Sequence, residues 1–184
     1  MPSVLTTPPA TEPVTLSEAK AHLRVTHGDD DVYIGTLIKT ARGSIEAQTG
    51  LGLVPQAWSV FLDDWPDNGV IELPLAPVLD IADIKTYGDD DTSAIIDPAH
   101  YYEDKISRPA RIILRGSRSW VRPGRQANGI EILLTIGFTN VPEPLREAVL
   151  QLVGHWYGTR GDETADEKPL GLAQLIQPYR ELRV

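Results

Sequence analysis

The sequence predicts an α+β fold: a helical bundle, made of an N-terminal helix pair plus a C-terminal helix, with an inserted small, mainly antiparallel β region. Three observations predict it. Apolar residues recur at helical spacing before Gly50 and again after Pro142, while between them the period drops to two. Helical stripes at opposite ends of a chain must pack on one another or on a sheet to be buried. The length, 184 residues, suits one domain of ordinary size or a core with a modest insertion.

Residues 1–14 contain Pro8-Pro9 and Pro13, show no periodicity, and read as an extended arm. Thr15-Leu16-Ser17-Glu18 has the form of a capping box, with a hydroxyl for the third amide and a carboxylate reaching back. Leu16, Ala19 and Leu23 follow at helical spacing, and His27-Gly28 is the expected stop. Asp29-Asp30-Asp31 then places acceptors where a second helix exposes its free amides. That helix carries Ile34, Leu37, Ile38, Ala41 and Ile45 on one stripe and ends at Gly50.

From Val54 the pattern alternates. Trp58, Val60 and Leu62 predict a strand, Trp65-Pro66-Asp67-Asn68-Gly69 a turn, and Val70 to Leu73 a short returning strand. Ile81 to Tyr87, Arg111 to Leu114, and Ile130, Ile132, Leu134 and Ile136 predict further strands, with loops at Gly88 to Asp91 and Gly116 to Gly129. Pro142 and Pro144 suit a first helical turn, and Leu145, Val149, Leu152, Val153 and Trp156 form the stripe behind them. The expected division is an arm at 1–14, a main domain at 15–161 and a polar tail at 162–184. Within the main domain, helices span about 15–50 and 143–160, and the β insertion about 54–138. The expected core comprises Leu23, Ile34, Leu37, Ile38, Ile45, Leu145, Val149, Leu152 and Trp156.

No constellation of catalytic or metal-binding type emerges. The chain has no cysteine, which excludes disulfides, thiolate metal sites and a cysteine nucleophile, and fits folding in a reducing cytoplasm. Gly-x-Ser-x-Gly and phosphate-cradling Gly-Lys-Ser/Thr motifs are absent, and Gly50-x-Gly52 lacks the third glycine of a dinucleotide site. The histidines, His22, His27, His100 and His155, do not pair at helical metal spacing. Asp63, Asp64 and Asp67 fail a calcium loop, since the required glutamate position holds Pro74. No cofactor is expected. The N-terminus lacks the basic start and apolar core of a signal peptide, and no run is long enough for a membrane span.

Charge is the feature that stands out. The net charge is −9, yet residues 51–105 carry −10 and residues 106–125 carry +6, all of the latter from arginine. Arg108, Arg111, Arg115, Arg118, Arg122 and Arg125, with Trp120 among them, suit bidentate pairing with carboxylate or phosphate. Three readings follow: a solvated surface, a small nucleic-acid-binding module stacking bases on Trp120, or docking on an acidic protein surface. If copies sit side by side, a basic edge facing an acidic edge is a heterologous contact, which closes into a ring when the rotation allows.

The run from Thr15 through Val25, the Asp run, and the long helix through Ala41-Arg42 and Ile45-Glu46 to Thr49-Gly50 resemble the opening of tailed-phage head-tail connector proteins, or adaptors. Pro55-Gln56-Ala57-Trp58, Leu73 to Val78, Ile84, Tyr87, Tyr101-Tyr102, Pro142 to Tyr157 and the ending Leu175-Ile176-Gln177-Pro178-Tyr179-Arg180 extend the similarity over nearly the whole chain. The resemblance implies a non-enzymatic structural part, a homo-oligomeric ring, usually of twelve copies, at the phage neck. There it joins the portal protein to stopper or tail-completion proteins while DNA passes through its channel without sequence-specific binding. It implies assembly in the host cytoplasm, no membrane association, and a tail, with Leu175, Ile176, Pro178, Tyr179 and Arg180, that docks on the portal. The arginine stretch is no part of the family motif, so its expected subunit or ring contacts rest on charge alone.

Overall fold

The computed structural model describes residues 1–115, 121–160, 169 and 171–180. The chain forms two compact units, Met1–Ala10 with Pro55–Gly137, and Thr11–Val54 with Phe138–Val184.

The helical unit holds α1 (Leu16–Leu23), α2 (Asp31–Thr49), α3 (Glu143–Gly158) and α4 (Leu172–Ile176). The capping box forms: the Glu18 amide donates to the Thr15 hydroxyl at 3.2 Å and the Thr15 amide donates to Glu18 at 2.7 Å. α1 stops at Leu23, four residues before the expected His27, because Arg24 turns left-handed (φ 56°) and its amide donates to Ala21. At the start of α2 the aspartates do not cap. Their carboxylates have other partners: Asp30 accepts from Tyr157 and Arg160, and Asp31 from Lys20 at 2.5 Å. α2 ends at Gly50 in the left-handed region, φ 74°.

The core of this unit is built from Ile34, Leu37, Ile38, Ala41 and Ile45 of α2 and Leu145, Ala148, Val149, Leu152 and Val153 of α3. Leu23 and Trp156 lie at its edge, partly buried. Leu172 and Ile176 of α4 are buried in the same cluster, with Leu175 and Tyr179 packed against it.

The β unit holds β1 (Ser3–Thr7), β2 (Gln56–Leu62), β3 (Val70–Glu72), β4 (Val78–Tyr87), β5 (Ser93–Ile95), β6 (Tyr101–Asp104), β7 (Arg111–Leu114) and β8 (Ile130–Ile136). They form two antiparallel sheets, ordered β1-β2-β8-β4-β5 and β3-β7-β6. Alternation along β8 sends Ile130, Ile132, Leu134 and Ile136 into a core shared with Val60, Ile84, Ile71 and Ile112, so the two sheets bury one another.

Two readings of the sequence change here. The Asn68-Gly69 turn exists, with Gly69 at φ 68°, but β3 does not return along β2; it pairs with β7 in the second sheet. In the N-terminal segment, Ser3–Thr7 lies along β2 as an edge strand, with Ser3 opposite Val60 and Leu5 opposite Trp58. Close backbone approach explains one glycine of the 121–129 loop. A Cβ on Gly124 would lie 2.3 Å from the Asp89 nitrogen, and its amide donates to the Tyr87 carbonyl at 2.8 Å.

Candidate functional site

The arginine stretch meets the acidic stretch within the β unit. Arg111, opposite Asp104 in the β6–β7 register, donates to that carboxylate through Nη2 at 2.6 Å and Nε at 3.2 Å. Arg125 donates to Asp91 at 2.6 Å and lies 4.2 Å from the Tyr87 ring centre. Arg115 donates to the Tyr101 carbonyl at 2.6 Å and stacks over Tyr102 at 3.8 Å. Arg122 approaches Asp64 only at 4.0 Å and remains 85% exposed. Arg108 is exposed, with no ion-pair partner among the described residues. Arg118 and Trp120 lie outside the described residues.

Two of the six charges, on Arg111 and Arg125, are therefore met by carboxylates inside the chain, while Arg108, Arg115 and Arg122 of the described stretch are exposed, Arg115 held by a carbonyl and a ring. Asp104 shows how tightly one pairing is made. The Ser107 hydroxyl, the Arg111 guanidinium and the Ser107 amide hold its carboxyl well below the usual carboxylate range. On the five-stranded sheet, Glu131 accepts from Ser59 at 2.7 Å and from Tyr87 at 2.6 Å. Burial alone would raise its pKa, but the Tyr87 and Ser59 hydroxyls and nearby Lys85 outweigh that and lower it.

The helical unit has its own polar cluster where α3 ends. Arg160 lies 4.4 Å from the Tyr157 ring centre and 4.7 Å from that of Tyr33, and donates to Asp30 at 3.2 Å. Tyr157 donates to the same carboxylate at 2.5 Å. Arg160 and then Tyr157 lower the pKa of Asp30, and that pairing raises the Tyr157 hydroxyl. The cluster is closed on itself: each charge has a partner, which suits a clamp between α2 and α3 better than acid-base chemistry.

The C-terminal residues divide in two. Leu175, Ile176 and Tyr179 pack into the helical core, Ile176 to 2% exposure, whereas Pro178 and Arg180 face solvent. Residues 162–168 of the expected tail lie outside the described residues, as do Leu170 and 181–184. Among the described residues no three histidine, aspartate or glutamate side chains gather to hold a metal ion. No helix among them is long and apolar enough to cross a membrane.

The family model for phage gp6-like head-tail connector proteins matches residues 13–87. That span runs from α1 through β4, and it takes in most of the residues on which the resemblance to connectors rests. No curated protein matches the chain. Among solved structures, a chain of the neck of an empty gene transfer agent (GTA) particle, computed with C6 symmetry, superposes with a TM-score of 0.84 at 24% identity, covering 100% of this chain and 97% of that one. A chain of the virion of the native GTA particle gives 0.85 at the same identity and coverage. A chain of the native GTA neck computed with C12 symmetry gives 0.80 at 24% identity, covering 98% and 97%. The fold is thus shared end to end with chains of particle necks.

Proposed function

We propose, on the premise of the connector match over residues 13–87, that this chain is a structural head-tail adaptor of a tailed phage or phage-derived particle. The observation that carries the reading is the coincidence of that match with an end-to-end fold likeness to chains of a particle neck. The chain acts as a ring, of twelve copies by analogy with the C12 neck, seated between the portal and the stopper or tail-completion proteins. It performs no catalysis; its chemistry is adhesion around a channel through which DNA passes.

Charge supports passage over gripping. Twelve copies at −9 each carry −108 formal charges, and a predominantly negative ring repels the DNA backbone. Arg111, Arg115 and Arg125 already have partners within the chain and are poorly placed to hold phosphates. The isolated protein is expected to bind double-stranded DNA weakly at physiological salt. Tight binding with a steep salt slope in a filter or anisotropy titration contradicts this reading and favours a nucleic-acid module.

The portal contact is assigned to the solvent-facing part of the C-terminal ending. Truncating the tail is a poor test, because Ile176 belongs to the helical core. Arg180→Glu combined with Pro178→Ala changes exposed side chains only. The expected outcome is a protein with wild-type melting that no longer joins portal-containing heads; undiminished attachment contradicts the docking role.

A further inference from the structure

The turn between β6 and β7 presents Ile106 at 95% exposure. A lone exposed aliphatic residue is ordinary on a protein surface. This one differs in how its loop is held. The Asp104 carboxylate accepts from the Ile106 amide at 3.3 Å, the Ser107 amide at 3.0 Å, the Ser107 hydroxyl at 2.6 Å and Arg111 at 2.6 Å. Lys105 is tied to Glu103 at 3.0 Å. The backbone on both sides of Ile106 is therefore fixed before any partner arrives, which removes much of the ordering cost that weakens loop-mediated binding. Beside it the exposed Arg108 brings positive charge, and the half-exposed Tyr102 under Arg115 adds an aromatic surface.

The helical unit carries an open surface depression beside α1. A pocket of about 450 Å³ is lined by Leu16, Ser17, Lys20, Ala21, Val25 and Asp31. Its apolar lining is Leu16, Ala21 and Val25, and one wall is the Lys20–Asp31 pair. The neighbouring chain, Asp29-Asp30-Asp31-Val32, adds a negative run in which Asp29 is 93% exposed, and Val32 is an apolar residue at 86% exposure. An aliphatic knob flanked by an unpaired arginine thus has, on the same chain, a partly apolar depression with the exposed carboxylate of Asp29 in the adjoining turn.

We propose that, in the ring, Ile106 of one copy seats in the α1 pocket of the next, with Arg108 directed at the exposed Asp29. The inference rests on the connector reading and names the contact that reading leaves open. Knob and pocket are different patches of one chain, so the contact joins unlike surfaces, and repeated in one sense from copy to copy it closes as a ring.

The natural absence of cysteine allows a direct test. The full-length Ile106→Cys and Ala21→Cys chains are mixed in equal amounts, oxidised and analysed by mass. The expected result is a disulfide dimer joining position 106 of one chain to position 21 of the other, well in excess of the same-residue dimers that each variant forms alone. In parallel, Ile106→Asp keeps the wild-type melting temperature, since the side chain touches solvent, and weakens self-association about tenfold or more. Oligomers that form without an excess of the 106–21 disulfide, or unchanged association of Ile106→Asp, overturn the pocket contact; the connector reading survives that result, because a ring can close through other surfaces. A wild-type chain that stays monomeric and never enters particles overturns both.

Discussion

At the scale of single residues, the chain resolves its own charge contrast in part. The sequence shows an acidic stretch followed by six arginines, and the fold turns Arg111 and Arg125 back onto Asp104 and Asp91. Asp104 is the group whose titration matters most. Its folded pKa lies below the unfolded value of about 3.9, so its contribution to stability is fully present above that value and is lost as pH falls through the folded one. Amide protection at Ile106 and Ser107 is therefore expected to hold from neutral pH to about pH 4 and to vanish only in stronger acid, whereas Asp104→Ala, which has no side-chain acceptor, loses it at every pH. Hydrogen exchange followed by NMR checks this; loss of protection in the wild type between about pH 5 and 6 contradicts it. None of these pairings was legible beforehand. Arg111 sits seven residues from Asp104 and Arg125 sits 34 residues from Asp91, and only the β6–β7 register and the β4–β5 turn bring them together.

At the scale of elements, legibility followed hydrophobic pattern. α2, α3 and β8 each carry a complete apolar stripe, and each forms where the stripe lies. β1 and β5 are edge strands with almost wholly exposed side chains, so their pairing is a backbone matter that leaves no alternation in the sequence. β3 shows the limit of local turn chemistry: Asn68-Gly69 specifies a turn, and burial of Ile71 opposite Ile112 decides which sheet the strand joins. The docking tail expected at Leu175, Ile176, Pro178, Tyr179 and Arg180 overlaps α4, whose Leu172 and Ile176 are buried with α3. Ile176→Ala is expected to cost about 2–5 kcal/mol by leaving a cavity in the helical core. Urea or thermal unfolding checks this, and a loss below about 0.5 kcal/mol, the ordinary range for a surface substitution, contradicts the placement of α4.

At the scale of the whole molecule, the fold is that of chains in particle necks, and the proposed role is that of a ring-forming part of such a neck. A structural part needs complementary surfaces and a stable scaffold, and the features found here are of that kind. The sheets and helices have separate, well-filled cores, and the strongest polar clusters are closed on themselves. The exposed Ile106 in its hydrogen-bonded turn and the solvent-facing Pro178 and Arg180 are free for partners. The measurement that bears most directly on the claim is electron microscopy of purified particles carrying this chain with a small tag. The expected result is tag density on a ring of twelve copies at the neck, between portal and tail. Particles that assemble complete necks without the tagged chain, or tag density confined to another part of the particle, contradict it.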